Sequence, residues 1–138
     1  MADLLHYLGG QVRQWFLNRR RPARRRVSLR CTVSISESSD EEEGRFSSAL
    51  TGKTFDLSSG GLAVLLPAIR IGQRYIVGEN RPLRIVLDLP AGSVTASIVG
   101  TRYDRVEESG ETTYMIGARI AKIGQRDREL LTRYLNSL

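Results

Sequence analysis

Two clusters in the chain carry residue types suited to ligand chemistry. The first is "RRRPARRR", residues 19–26, with six arginines in eight positions. Each guanidinium offers five N–H donors in a planar fork, which suits bidentate contact with phosphate and stacking on a purine ring. The second is "DLSSGG", residues 56–61. Asp56 and Ser58 stand two apart, so they share one face wherever the backbone is extended. Together they offer an anionic acceptor and a hydroxyl to one ligand edge. The Watson–Crick edge of guanine, with its N–H donors, is such an edge. Gly60 and Gly61 can take positive φ and let a flat ligand approach closely, because no Cβ is in the way. Each cluster also has a plainer reading. Asp and Ser in a turn can bond their own backbone, and an arginine run can be a solvated linker or a general polyanion tail.

Charge singles out the arm. Among residues 1–35, eight arginines against Asp3 give +7, while the remaining 13 basic and 14 acidic residues give −1. Nineteen of the 21 basic residues are arginine, so the basic character is built for forked contacts. Enzyme classes are disfavoured: no phosphate-binding glycine loop, nucleophile elbow or zinc-protease motif appears. His6 and Cys31 are the lone histidine and cysteine, too few for an ordinary zinc site. Cys31, within "VSLRCTVSI", reads as a buried strand thiol. No apolar run approaches the roughly 20 residues of a membrane span, and the N-terminus lacks the pattern of a secretion signal. The expected location is the cytoplasm. No metal or cofactor is expected.

The positioning elements follow from periodicity. Residues 2–17 place Leu4, Leu5, Leu8, Val12, Trp15 and Phe16 on one side of a helix. Gly9 and Gly10 weaken that helix by roughly 1 kcal/mol each relative to alanine. Such a face needs a surface, either its own domain, a second copy or a protein partner. With the basic run behind it, peripheral contact with an anionic inner membrane face is the alternative. Pro22 breaks any helix through the arm, so residues 19–26 are expected to be an extended, mobile linker. From Val27 the period is two. Strands are expected over "VSLRCTVSIS", "ALTGKTFDL", "LAVLLP", "PLRIVLDLP", "SVTASIVGTRYDRV" and "TTYMIGARIAKI". Between the first two lies the acidic loop 37–44, and Gly72 marks the turn at "IGQRY". The tail is helical, with Leu130, Leu131, Tyr134 and Leu138 on one side. Short strands with no helices among them indicate an antiparallel barrel. The expected organisation is a helix over 1–18, an arm over 19–26 and a β-barrel with a C-terminal helix over 27–138.

The order of these features resembles the PilZ domain family, receptors for the bacterial second messenger cyclic di-GMP, over roughly residues 20–138. The family signatures are R-x-x-x-R and [D/N]-x-S-x-x-G. Asp56, Ser58 and Gly61 match the second without a gap. "LPAIRIGQRY" looks like the family's entry into the next strand. "YMIGARI" looks like its late strand, with Ile120 where an aromatic is common. Arg20…Arg24 and Arg21…Arg25 both satisfy the first signature, and Arg21 with Arg25 is the preferred pair. The resemblance implies a mainly β fold, a six-stranded antiparallel barrel with a C-terminal helix. It also implies a cyclic di-GMP site built from Arg20, Arg21, Arg24, Arg25, Asp56, Ser58, Gly60 and Gly61. Arg20, just before the preferred pair, is the residue that goes with a stacked pair of ligand molecules. The implied function is a non-catalytic receptor in which ordering of the arm moves the N-terminal helix or a partner. The competing readings are a nucleic-acid or polyanion binder acting through the arm, and a ligand-free interaction module. The scattered aromatics argue against a nucleic-acid platform.

Overall fold

A computed structural model of the chain describes residues 24–35, 49–78 and 80–138. The segment expected to form an N-terminal helix, the arm up to residue 23 and the acidic loop lie outside the described residues. In chain order the strands are β1 (Arg25–Arg26), β2 (Arg30–Ile35), β3 (Ala49–Leu57), β4 (Gly61–Leu66), β5 (Arg70–Ile71), β6 (Arg74–Tyr75), β7 (Pro82–Leu89), β8 (Gly92–Glu108) and β9 (Glu111–Ile123). The helix α1 follows, Gln125–Asn136.

The main sheet runs β1-β3-β2-β7-β8-β9-β4, and β4 pairs back onto β3. Leaving out the short β1, six antiparallel strands close on themselves. Closure removes the unpaired edges that an open sheet would expose. Strand patterning explains much of this wall. In β7, Leu83, Ile85, Leu87 and Leu89 are buried while Arg84 and Asp88 point to solvent. The β8–β9 turn is a two-residue hairpin, with φ 54° at Ser109 and 80° at Gly110. Two positive φ values in succession match the twist of the flanking strands.

The core combines Cys31 and Val33 of β2, Leu57 of β3, Leu62, Val64 and Leu66 of β4, the inward residues of β7 to β9, and Leu131 of α1. Leu130, Tyr134 and Leu135 of the helix pack against this cluster. Leu138, expected on the same side, is 48% exposed because it lies beyond the C-cap Ser137. Asp127 in the first helical turn accepts from the Thr95 N–H at 3.3 Å and ties the helix start to β8. The small hairpin β5–β6 turns at Gly72, as expected, and Ile71 beside it is buried in the core.

Two expectations are revised. The first strand does not run continuously from Val27; residues 27–29 bridge β1 and β2 without strand pairing. The end of the arm is not a free linker either, since Arg25 and Arg26 pair with Leu57 and Asp56. The reason is Thr54. Its hydroxyl accepts from the Leu29 N–H at 2.9 Å and donates to the Val27 carbonyl, while its own N–H donates to the Leu29 carbonyl at 2.8 Å. That clasp holds the chain against β3 just before the barrel begins.

Closure also depends on close backbone approach at Gly52. A Cβ there would be driven into the Leu65 carbonyl oxygen and to within 2.8 Å of Leu66 Cδ2. Gly52→Ala should therefore lower stability by about 1–3 kcal/mol through overpacking. Urea unfolding checks this, with the exposed Thr51→Ala as a control expected to stay within about 0.5 kcal/mol of the parent.

Candidate functional site

The site forms where the end of the arm meets the β3–β4 turn. β3 is extended up to Leu57, with a bulge between Thr54 and Asp56. The bulge resets the alternation so that Leu57 enters the core and Asp56 faces outward, opposite Ala63 of β4. The turn closes tightly. The Ser58 N–H donates to the Gly61 carbonyl at 2.9 Å. The Ser58 hydroxyl donates to the same carbonyl at 3.0 Å and accepts from the N–H groups of Gly60 and Gly61 at 3.3 and 3.1 Å. The Gly60 carbonyl accepts from the Ile120 N–H at 2.9 Å, fixing the turn to β9.

Gly60 and Gly61 are not among the residues with positive φ. The turn does not use the positive φ that glycine permits there. Gly61 already lies in strand β4, next to Arg119 of β9. The backbone bonding of Ser58 matches the plainer reading of the turn. It leaves that hydroxyl structurally occupied.

Arg24 occupies the notch. Its Nη2 donates to Asp56 Oδ1 at 2.6 Å, and its Nη1 lies 3.5 Å from Ser58 Oγ. The side chains of Arg24 and Asp56 are 8% and 3% exposed, so this is a buried ion pair. Arg24 Nε is buried with no hydrogen-bond partner among the described residues. The next arginines point elsewhere. Arg25 is exposed and donates to the Leu138 carbonyl at 3.4 Å. Arg26 sits over the Phe55 ring, 5.0 Å from its centroid, a cation–π geometry. Arg24, Asp56, Ser58, Gly60 and Gly61 are thus brought together, with Arg24 rather than Arg25 at the carboxylate. Arg20 and Arg21 lie outside the described residues. Sequence reading missed Thr54, whose clasp delivers Arg24 to the notch, and Arg119 beside Gly61. Thr54 belongs to no motif, Arg119 is an unassigned position within "YMIGARI", and only strand register places them beside the turn.

Among the described residues, no group of three or more His, Cys, Asp or Glu is placed to hold a metal ion. No described helix is long and apolar enough to cross a membrane. Cys31 offers no reactive thiolate. Burial pushes its thiol from the ordinary 9.0 up to about 12, the Asp88 charge adds to this, and a hydrogen bond with the Gly52 backbone opposes it.

The family model for the PilZ domain matches residues 18–137. The chain belongs to the PilZ domain family. Solved structures show the same fold. The PilZ domain of YcgR from Escherichia coli with c-di-GMP superposes with TM-score 0.62 at 19% identity, covering 88% of this chain and 92% of that one. MrkH from K. pneumonia matches in its apo state with TM-score 0.66 at 20% identity over 88% of this chain. The MrkH complex with c-di-GMP matches with TM-score 0.63 at 19% identity over 87%. This PilZ domain spans about half the length of MrkH, 52% and 51% in the two structures. No curated protein matches the chain.

Two measurements follow. Arg24→Ala leaves the Asp56 carboxylate buried and unpaired and should cost about 3–5 kcal/mol. Arg25→Ala should stay within about 0.5 kcal/mol, and denaturant unfolding distinguishes the two. For Cys31, the folded thiol holds its proton more tightly than the unfolded one. Its contribution to stability is complete below pH 9.0 and lost as pH rises towards about 12. Alkylation at mildly alkaline pH should accordingly be slow in the native protein and fast in denaturant.

Proposed function

We propose that this PilZ domain is a non-catalytic receptor module for cyclic di-GMP, acting in the cytoplasm. The observation that carries the reading is the Arg24 guanidinium seated on Asp56 and Ser58 within a complete D-x-S-x-x-G turn. The relatives that share the fold support it, since both YcgR and MrkH have structures with c-di-GMP.

The chemistry fits a dianionic ring bearing two guanines. Arg24 engages Asp56 through Oδ1. A carboxylate has acceptor sites on both oxygens, so Oδ2 can receive the N–H donors of a guanine edge. The unpartnered Nε of Arg24 is a donor that a phosphate oxygen can satisfy. Arg20 and Arg21 precede this anchor and reach over the ligand from the arm, and Arg25 supplies further positive charge at its edge. Arg20…Arg24 then becomes the R-x-x-x-R pair, because Arg24 is the arginine already on the carboxylate. A second ligand molecule stacked on the first would be held by the outer arginines.

Ordering the arm costs roughly 1–2 kcal/mol per residue fixed. Charge-assisted hydrogen bonds of roughly 1.5–3 kcal/mol each offset that cost. The arm leads directly into residues 1–18, so the output is a change in the placement of that segment or of a partner bound to it. In this reading residues 19–26 are the coupling element between the sensor barrel and the N-terminal segment.

Calorimetry with cyclic di-GMP, GMP and a DNA duplex tests the proposal. Micromolar or tighter binding of the cyclic dinucleotide is expected, with GMP and DNA far weaker. Arg21→Ala and Asp56→Asn should each weaken it at least tenfold, corresponding to about 1.4 kcal/mol. Equal affinity for all three anions would reduce the arm to a polyanion tail, and binding of none would leave an interaction module.

A further inference from the structure

One row on the outside of the barrel carries charge of a single sign. Ser34 of β2 stands opposite Arg84 of β7, Arg84 opposite Ser97 of β8, and Ser97 opposite Lys122 of β9. Their chain neighbours Val33, Ile85, Ala96 and Ile123 belong to the core or pack on it. Alternation therefore turns the four residues of the row outward. Arg84 and Lys122 are exposed, and Ser34 and Ser97 are half-buried.

These two cations differ from others in the molecule. Arg24 has Asp56, Arg105 has Glu107 and Arg126 has Asp127. Among the described residues, neither Arg84 nor Lys122 has an ion-pair or hydrogen-bond partner. The same holds for the hydroxyls of Ser34 and Ser97. Opposite charges stabilise cross-strand neighbours, and like charges work against them. Here two cations flank one serine, with no carboxylate in the row. Asp127, at the start of α1, already accepts from the Thr95 N–H and from Arg126. Strand spacing sets the backbones of Arg84 and Lys122 about 10 Å apart, with Ser97 between them. The surface is indented at this point. Arg84, Ser97 and Lys122, with Thr95, Ile123 and Gly124, line an open groove of about 260 Å³.

We propose that this groove binds a phosphate dianion, free or as a monoester, between Arg84 and Lys122 over Ser97. The guanidinium supplies a planar fork for two phosphate oxygens, and the ammonium supplies a point charge on a flexible stem. The Ser97 hydroxyl adds a donor from the strand between. Two cations match a group that carries about −1.5 to −2 near neutral pH. A phosphodiester, with a single charge, matches them less well. Sites that enclose a drug-sized ligand occupy roughly 300–1,000 Å³, so this groove holds a headgroup and leaves its carrier in solvent. The site is separate from the notch. Lys122 lies about 15 Å along β9 from Gly117, which shares a row with Ala63 and Asp56. The inference does not depend on the cyclic di-GMP reading.

Amide NMR of the full chain tests this, with inorganic phosphate and GMP titrated separately at constant ionic strength. Phosphate should give saturable shifts at the Ser97 and Lys122 amides, while Gly110 in the β8–β9 turn stays unchanged. Arg84→Gln combined with Lys122→Gln should weaken binding at least tenfold, and each substitution alone should give part of that loss. Arg133→Gln on α1 should leave it unchanged. Lowering the pH from about 8 to about 6 should weaken binding as the dianion takes up a proton. GMP binding as tightly as phosphate would assign the groove to carried monoesters, and phosphate alone to the free anion. An equal response to chloride, no saturation, or binding that survives the double substitution would overturn the proposal. So would cyclic di-GMP shifting the same amides as strongly as phosphate, since its phosphates are diesters.

Discussion

A carboxylate that is almost wholly withdrawn from water must be paired or become protonated. Asp56 stands in that position, and Arg24 is its partner. Much of the local architecture serves this one contact. The bulge before Asp56 turns its side chain outward while Leu57 stays in the core. The Thr54 clasp brings the incoming chain alongside β3. The two-residue strand β1 then sets Arg25 and Arg26 in register with Leu57 and Asp56, leaving Arg24 at the mouth of the turn. A buried ion pair is weak evidence for stability as such, but removing one partner is costly. That asymmetry makes the pair suited to fixing where the arm ends.

The barrel supplies the rigidity the contact needs. β3 bonds to β1, β2 and β4, and the turn after it is tied to β9 through the Gly60 carbonyl. Asp56 and Ser58 therefore sit on backbone constrained from several directions. The arm enters from outside that frame.

The arginines illustrate a limit of motif reading. Two registers of R-x-x-x-R fit residues 20–25 equally well, because the spacing rule sees no backbone. Register pairing of Arg26 with Asp56 brings Arg24 to the carboxylate and turns Arg25 away. The glycines illustrate another. "SSGG" permits positive φ, yet the turn does not use it and Gly61 is an ordinary strand residue in a tight hairpin.

From sequence alone the strands, the hairpins, the C-terminal helix, the barrel class and the Asp56–Ser58–Gly61 turn could be read, because alternation, turn residues and helical period are local properties of the chain. Tertiary structure decided which arginine meets Asp56, why Thr54 is buried, and which cations share one outer row. These depend on register and closure between segments far apart in sequence. Ala63 and Leu65 show the difference most plainly: in "GLAVLL" they are simply apolar residues of a strand, and only barrel closure reveals that they point away from the core.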